Sequence, residues 1–279
     1  MLKVQAHSMK FVEPSFINNI YIIYNDSGEY DFDEVISFYP QEARERVKVL
    51  YVDSDFDSIH TYGWGTQQLI KILMAEKVES EHYVALDAKD HFFKPVDRNV
   101  FFEMVNYFNP KENKPRLFLG WPGKMIKHYY GALNVFNIED PFGLTPSWGP
   151  RPLSITPYLF TTKITLDLMA TFQDIDLNFV EVLQRGSPQA FTEFYLTTAY
   201  LCYSGEIKNY SLSRFIKRSL VWNRSGFFRE INDNRYKILS IHKKIKSPEY
   251  QDEEFRTKVL DLYRSCYDEK AMEIILTLL

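Results

Sequence analysis

The segment that most restricts how this chain can fold is Tyr83-Val84-Ala85-Leu86, which runs directly into Asp87-Ala88-Lys89-Asp90. A short, continuous apolar run is the signature of a strand buried on both faces. Acids clustered at its end fall at the carboxyl edge of a sheet, where open α/β folds bind their ligands. Oxygen ligands of this kind suit Mg²⁺ or Mn²⁺ and can hold the cation against a diphosphate. The segment therefore points to a nucleotide or nucleotide-sugar site. Asp is also common in plain strand-end turns, and the cluster alone leaves both readings open.

The surrounding pattern extends the same architecture. Ile20 to Tyr24 reads as a buried strand closed by Asn25-Asp26-Ser27-Gly28, and Val47 to Val52 as a second strand stopped by Asp53-Ser54-Asp55. Between them, Asp33 to Arg46 reads as a helix broken near Pro40. Thr66 is placed to cap a helix carrying Leu69, Ile70, Leu73 and Met74 at helical spacing and ending near Lys77. Strand–helix–strand units of this length predict an α/β fold with a mostly parallel, Rossmann-like sheet flanked by helices.

Beyond Pro95 the spacing predicts a helix over Val100 to Phe108 and strands over 116–119 and Tyr130 to Asn137. Residues 141 to 157 hold five of the 13 prolines, with Gly143 and Gly149, and read as a long loop. Helices are expected over Tyr158 to Phe172, Pro188 to Tyr203 and Asp252 to Leu279, the last forming a helical C-terminal part. Met1 to Phe16 fits neither period; Leu2 to Gln5 suits a short edge strand or a segment lying on the surface. With no repeat, linker or low-complexity stretch, a single domain is expected.

Net charge is −4 with no long basic run, which argues against nucleic acid as a partner. Cys202 and Cys266 have no metal-ligand spacing and suit a reducing, cytoplasmic compartment. No stretch reaches the roughly 18 apolar residues of a membrane span, and Met1 to Lys10 lacks a signal-peptide core, leaving peripheral membrane contact as the compatible mode. Aromatics reach 16%, which suits either stacking on sugars and bases or an aromatic-rich core.

The run Gly63-Trp64-Gly65-Thr66-Gln67-Gln68-Leu69-Ile70-Lys71, followed by Tyr83 to Phe92, resembles the core of GT-A-fold glycosyltransferases, in particular small bacterial enzymes of capsule and surface-glycan type. Thr156 to Phe160, Phe191 to Tyr195 and Ser240-Ile241-His242 add to the resemblance in the expected order over about residues 17 to 245. It implies a GT-A-like fold with a nucleotide-binding half (1–125), an acceptor-side half (126–245) and a helical tail (246–279). Asp87 and Asp90 stand where such enzymes carry an Asp-x-Asp motif for metal and nucleotide, with Lys89 in the second acidic place. His242 matches a late metal- or diphosphate-binding histidine, and Gln67, Gln68 and Lys71 fall on the nucleotide. The implied cofactor is Mn²⁺ or Mg²⁺, with Lys89 supplying part of its charge. The implied substrates are a nucleoside diphosphate sugar, UDP-linked in the first instance, and a glycan or lipid-linked glycan.

On the acceptor side, Glu193 sits among Phe191, Phe194 and Tyr195, where desolvation raises a carboxyl pKa into the range of a general base. Asp174 and Asp176 are rivals for that role, and Trp148 and Tyr158 are placed to stack on an acceptor sugar or to pack in the core. The expected activity is sugar transfer to a glycan hydroxyl in surface polysaccharide synthesis. A sugar-phosphate nucleotidyltransferase using the same acidic edge and a catalytically inactive glycan-binding protein are the alternatives.

Overall fold

The structure is a computed structural model that describes residues 1–25, 29–56, 64–105, 114, 116–120, 125–142, 151–152, 156–174, 191–214, 238–240 and 253–278. Helix α1 (Leu2–Ser8) leads into β1 (Ile20–Tyr24). Two short helices, α2 (Phe32–Ile36) and α3 (Gln41–Arg44), connect β1 to β2 (Val47–Tyr51). Asp31 caps α2 by accepting from the Glu34 amide at 2.9 Å, and Pro40 stands just before the first residue of α3. The two strands pair in parallel, Ile20 against Val47 through Tyr24 against Tyr51. A single turn, α4 (Val52–Asp55), follows β2 directly.

Helix α5 (Trp64–Leu73) precedes β3 (His82–Ala85), the acidic turn 86–89 and β4 (Asp90–Phe92). Next come α6 (Arg98–Val105), β5 (Arg116–Gly120), α7 (Ile126–Val135), β6 (Arg151–Pro152), β7 (Tyr158–Thr161) and α8 (Thr162–Asp174). The described chain closes with α9 (Glu193–Tyr203), β8 (Ser211–Arg214), β9 (Ile238–Ser240), α10 (Glu253–Cys266) and α11 (Glu269–Leu278).

The fold is mixed α/β, but the expected mostly parallel sheet is not what the described strands form. Among the described strands, β1–β2 and β5–β8 pair in parallel, whereas β3–β7, β4–β9 and β5–β6 are antiparallel. The described sheets contain two or three strands each. The difference traces to particular segments. Tyr158-Leu159-Phe160-Thr161 was expected to open a helix, yet these aromatic and β-branched residues fit a pleated surface. They pair antiparallel with β3, and α8 begins only at Thr162. Conversely, Tyr130 to Asn137 is not a strand. Tyr129, Ala132, Leu133 and Phe136 recur at helical spacing and are all buried, which makes α7. Leu2 to Gln5 is helical, with Val4, Gln5 and Ala6 buried. Thr66 lies inside α5 rather than capping it, and is buried. Within the expected loop, Arg151–Pro152 pairs with β5.

The main core joins α5, α7, α8 and α9 through Leu69, Ile72, Tyr129, Leu133, Phe172 and Leu196. Helix α9 is buried from Glu193 to Leu201, the mark of a helix surrounded by others rather than lying at a surface. A second cluster packs α10 and α11 against Val4 and Phe93, and a third sets β1 against α2 and Ala6. Much of the aromatic excess goes into this interior: Phe92, Tyr129, Phe160, Phe172, Tyr195 and Tyr263 are all less than 2% exposed. Tyr158 is among the buried aromatics, stacked on Phe194 with ring centroids 4.3 Å apart. Cys202 and Cys266 are free thiols.

Candidate functional site

Four charged side chains from three parts of the chain meet behind the acidic turn. Lys71 comes from the last full turn of α5, Asp87 and Lys89 follow β3, and Glu193 opens α9. The Lys71 ammonium lies 3.2 Å from Asp87 Oδ1 and 2.9 Å from Glu193 Oε1. Lys89 Nζ donates to Asp87 Oδ2 at 2.7 Å. Asp87 thus has an ammonium on each oxygen, and Lys71 bridges it to Glu193. The Tyr83 hydroxyl donates to the Lys71 carbonyl at 2.8 Å, and the Phe194 ring lies 5.1 Å from Nζ. The first contact holds the main chain at Lys71, and the second sets an aromatic face against its ammonium.

The environments of the two carboxylates differ sharply. Asp87 is 29% exposed, whereas Glu193 is 0% exposed. Thr192 caps α9 by accepting from the Tyr195 amide, which fixes Glu193 as the first residue of the helix. The Lys71 ammonium meets Glu193 Oε1 as an ion pair. Among the described residues, Glu193 Oε2 has no partner. Burial pushes the Glu193 carboxyl up to about 7, against the pull of the Lys71 charge. Burial also works against the charge on Asp87, but Lys71 and Lys89 outweigh it and hold that carboxyl below its ordinary value. For Lys71 too, burial is outweighed, here by Glu193 and Asp87, and its ammonium is held more firmly than an isolated one. The result is an ionised, half-exposed carboxylate and a buried carboxyl poised near neutrality, joined by one ammonium.

The turn itself is held by groups remote in sequence. Asp90 is wholly buried, and its Oδ2 accepts from the Asp87 amide at 3.1 Å. Gln5 of α1 donates from one Nε2 to the Asp87 carbonyl at 2.8 Å and to the Asp90 carbonyl at 3.0 Å. His91 Nδ1 lies 3.1 Å from the Lys89 carbonyl, which can only accept, so Nδ1 carries the proton and Nε2 accepts from the Tyr263 hydroxyl. Tyr267 donates to the Phe92 carbonyl. Burial drives the His91 pKa down to about 4, so the ring is neutral at pH 7.

Of the residues singled out by sequence, Asp87, Lys89, Lys71 and Glu193 come together. Asp90 is adjacent but turned to the backbone of the turn. Gln67 is exposed and Gln68 is 6% exposed, so neighbours in α5 face different surroundings and Gln67 does not share the surroundings of Lys71. His242, Trp148 and Asp176, and the side chain of Asp174, lie outside the described residues. The structure adds Gln5, His91, Tyr263 and Tyr267 as supports of the turn. Of these, only His91 carried a local signal, through its place beside the acids.

A divalent cation at the acidic turn needs several oxygen or nitrogen donors turned to one point. Among the described residues no group of three or more His, Cys, Asp or Glu side chains is so arranged. Both Asp87 oxygens face ammonium groups, and Asp90 Oδ2 is engaged by an amide. The described donors therefore do not fit Mn²⁺ or Mg²⁺.

A family model matches residues 6–220, more than half of the chain. The chain belongs to the DUF6492 family. That family is described as one of unknown function. The DUF6492 stretch takes in Lys71, Asp87, Lys89 and Glu193 but stops short of α10, whose Tyr263 supports the turn. No curated protein matches the chain. Among the described residues, no helix is long and apolar enough to cross a membrane.

Proposed function

We propose that this DUF6492 protein is a glycosyltransferase of GT-A type. It moves a sugar from a nucleoside diphosphate sugar to a hydroxyl of a glycan or lipid-linked glycan, in surface polysaccharide synthesis on the cytoplasmic side. The observation that carries the reading is the pairing of a buried carboxyl held near neutrality, Glu193, with two ammonium groups on a strand-end aspartate. Perturbed titratable groups gathered at one point mark a candidate catalytic site. In transfer, the bond from the anomeric carbon to the diphosphate oxygen breaks and a bond to the acceptor oxygen forms. Lys71 and Lys89 take the charge that the departing diphosphate gains. Glu193, ionised, accepts the acceptor proton.

A second reading of Glu193 has its own support. At 0% exposure the carboxyl reaches substrate only if Lys71 and Asp87 part. Without that movement its part is to hold Lys71 in place, which makes it a positioning residue.

The test is release of nucleoside diphosphate from a panel of UDP- and GDP-sugars with glycan acceptors. Donor-dependent release is expected from the wild type and is lost in a folded Asp87→Ala protein. A protein that releases none, and instead makes a nucleotide sugar from a sugar 1-phosphate and a nucleoside triphosphate, would be a nucleotidyltransferase. Binding of glycans with no affinity for any sugar nucleotide would leave the inactive binding protein.

A further inference from the structure

We infer that Lys71 and Lys89 form a phosphate-binding site that neutralises its ligand with two ammonium groups and needs no divalent cation. The inference rests on the donor-site reading above and states how the diphosphate is held. Its ground is the occupancy of Asp87. An aspartate that ligates a cation must present an oxygen to it, and here Oδ1 lies 3.2 Å from Lys71 Nζ and Oδ2 2.7 Å from Lys89 Nζ. A divalent ion at Asp87 would have to expel both lysines or share a carboxylate with two positive charges a few ångströms away, which Coulomb repulsion opposes. The same geometry receives an anion well. An ammonium presents three N–H donors, so a lysine paired with a carboxylate can still meet a phosphate oxygen by exchange or sharing.

Placement and access agree. Lys71 is 15% exposed and its ammonium is held by Asp87, Glu193 and the Phe194 ring, so it is aimed rather than trailing in solvent. Lys89 and Asp87 are 28% and 29% exposed and form the side on which the cluster opens to water. Lys89 is the more accessible of the two ammonium groups.

The experiment is titration calorimetry with pyrophosphate and with UDP, each in excess EDTA and again with Mn²⁺. The wild type is expected to bind in EDTA with a Kd within a few-fold of that with Mn²⁺. Lys89→Ala is expected to weaken binding about ten- to a hundredfold, as the loss of one charged hydrogen bond does. Lys71→Met strips the partner from buried Glu193 and risks the fold. Lys71→Met combined with Glu193→Gln removes that charge and, if folded by circular dichroism, should bind neither ligand. Binding that requires Mn²⁺ would overturn the inference and leave the donor site standing. So would a Lys89→Ala protein that binds like the wild type. Absence of binding under both conditions would overturn the donor site as well.

Discussion

The Tyr263 hydroxyl donates to His91 Nε2, tying α10 to the strand that leaves the acidic turn. The two rings stack with centroids 5.4 Å apart, and both residues are completely buried. Tyr263→Phe keeps the ring but leaves a buried acceptor unpaired, a loss of about 1–3 kcal/mol. A lower urea midpoint with an unchanged m-value is expected. A midpoint equal to the wild type would show that the hydroxyl contributes nothing.

His91 also sets a response to acid. Its pKa is about 4 in the folded chain, against an ordinary 6.5, so the folded state disfavours the charged ring. The stability tied to a neutral His91 is complete above pH 6.5 and is lost as pH falls from there through about 4. His91→Asn retains an N–H for the Lys89 carbonyl and does not titrate. Its stability should therefore fall less steeply than that of the wild type across this window, as read by thermal melts at half-unit steps. Parallel curves would place the acid sensitivity elsewhere.

Glu193 acts in the opposite sense. Its folded pKa is about 7 against 4.5, so the folded state prefers the protonated carboxyl. Its favourable contribution is complete below pH 4.5 and is lost as pH rises through 7. Glu193→Gln should flatten that decline. If Glu193 is the base, kcat should also drop by about 10²–10⁴-fold with donor KM nearly unchanged. If it positions Lys71 instead, donor KM rises and kcat changes only a few-fold.

Gln5 lies just outside the family match yet donates to two carbonyls of the turn. Gln5→Ala leaves both carbonyls short of a donor and should cost about 1–3 kcal/mol. Gln5→Glu sets a carboxylate against them and should cost more. Turn geometry reads out separately as a weaker Kd for UDP in Gln5→Ala, measured well below its melting temperature. A lowered melting temperature with unchanged Kd would limit Gln5 to stability.

How much of this was legible in the sequence depended on where each signal lay. Ile20 to Tyr24 and Val47 to Tyr51 were readable as strands because a continuous apolar run bounded by polar turn residues is a local pattern. The apolar stripe of α5 and the helical character of 253–278 were readable for the same reason. Asp87, Lys89 and Glu193 stood out by residue type and neighbours. Partners did not stand out. Nothing near Tyr158 announces that it will lie against Ala85, and that pairing turns an expected helix start into an antiparallel strand. Lys71 was placed correctly on its helix, but its bridge from Asp87 to Glu193 exists only once α9 packs against α5. Gln5, His91 and Tyr263 carry no spacing relation at all, since their partners lie 82 to 172 residues away.

That separation has a consequence for how the protein is made. The acidic turn emerges from the ribosome after Gln5, but Tyr267 follows Phe92 by 175 residues. At about 5–20 residues per second, the turn exists for roughly ten to thirty seconds before α10 can reach it. During that interval His91 and the Phe92 carbonyl lack the hydroxyls that later satisfy them. The charged cluster therefore acquires its full support only once α10 has emerged, and a nascent chain stalled before α10 would carry the site's acids without the support that fixes them.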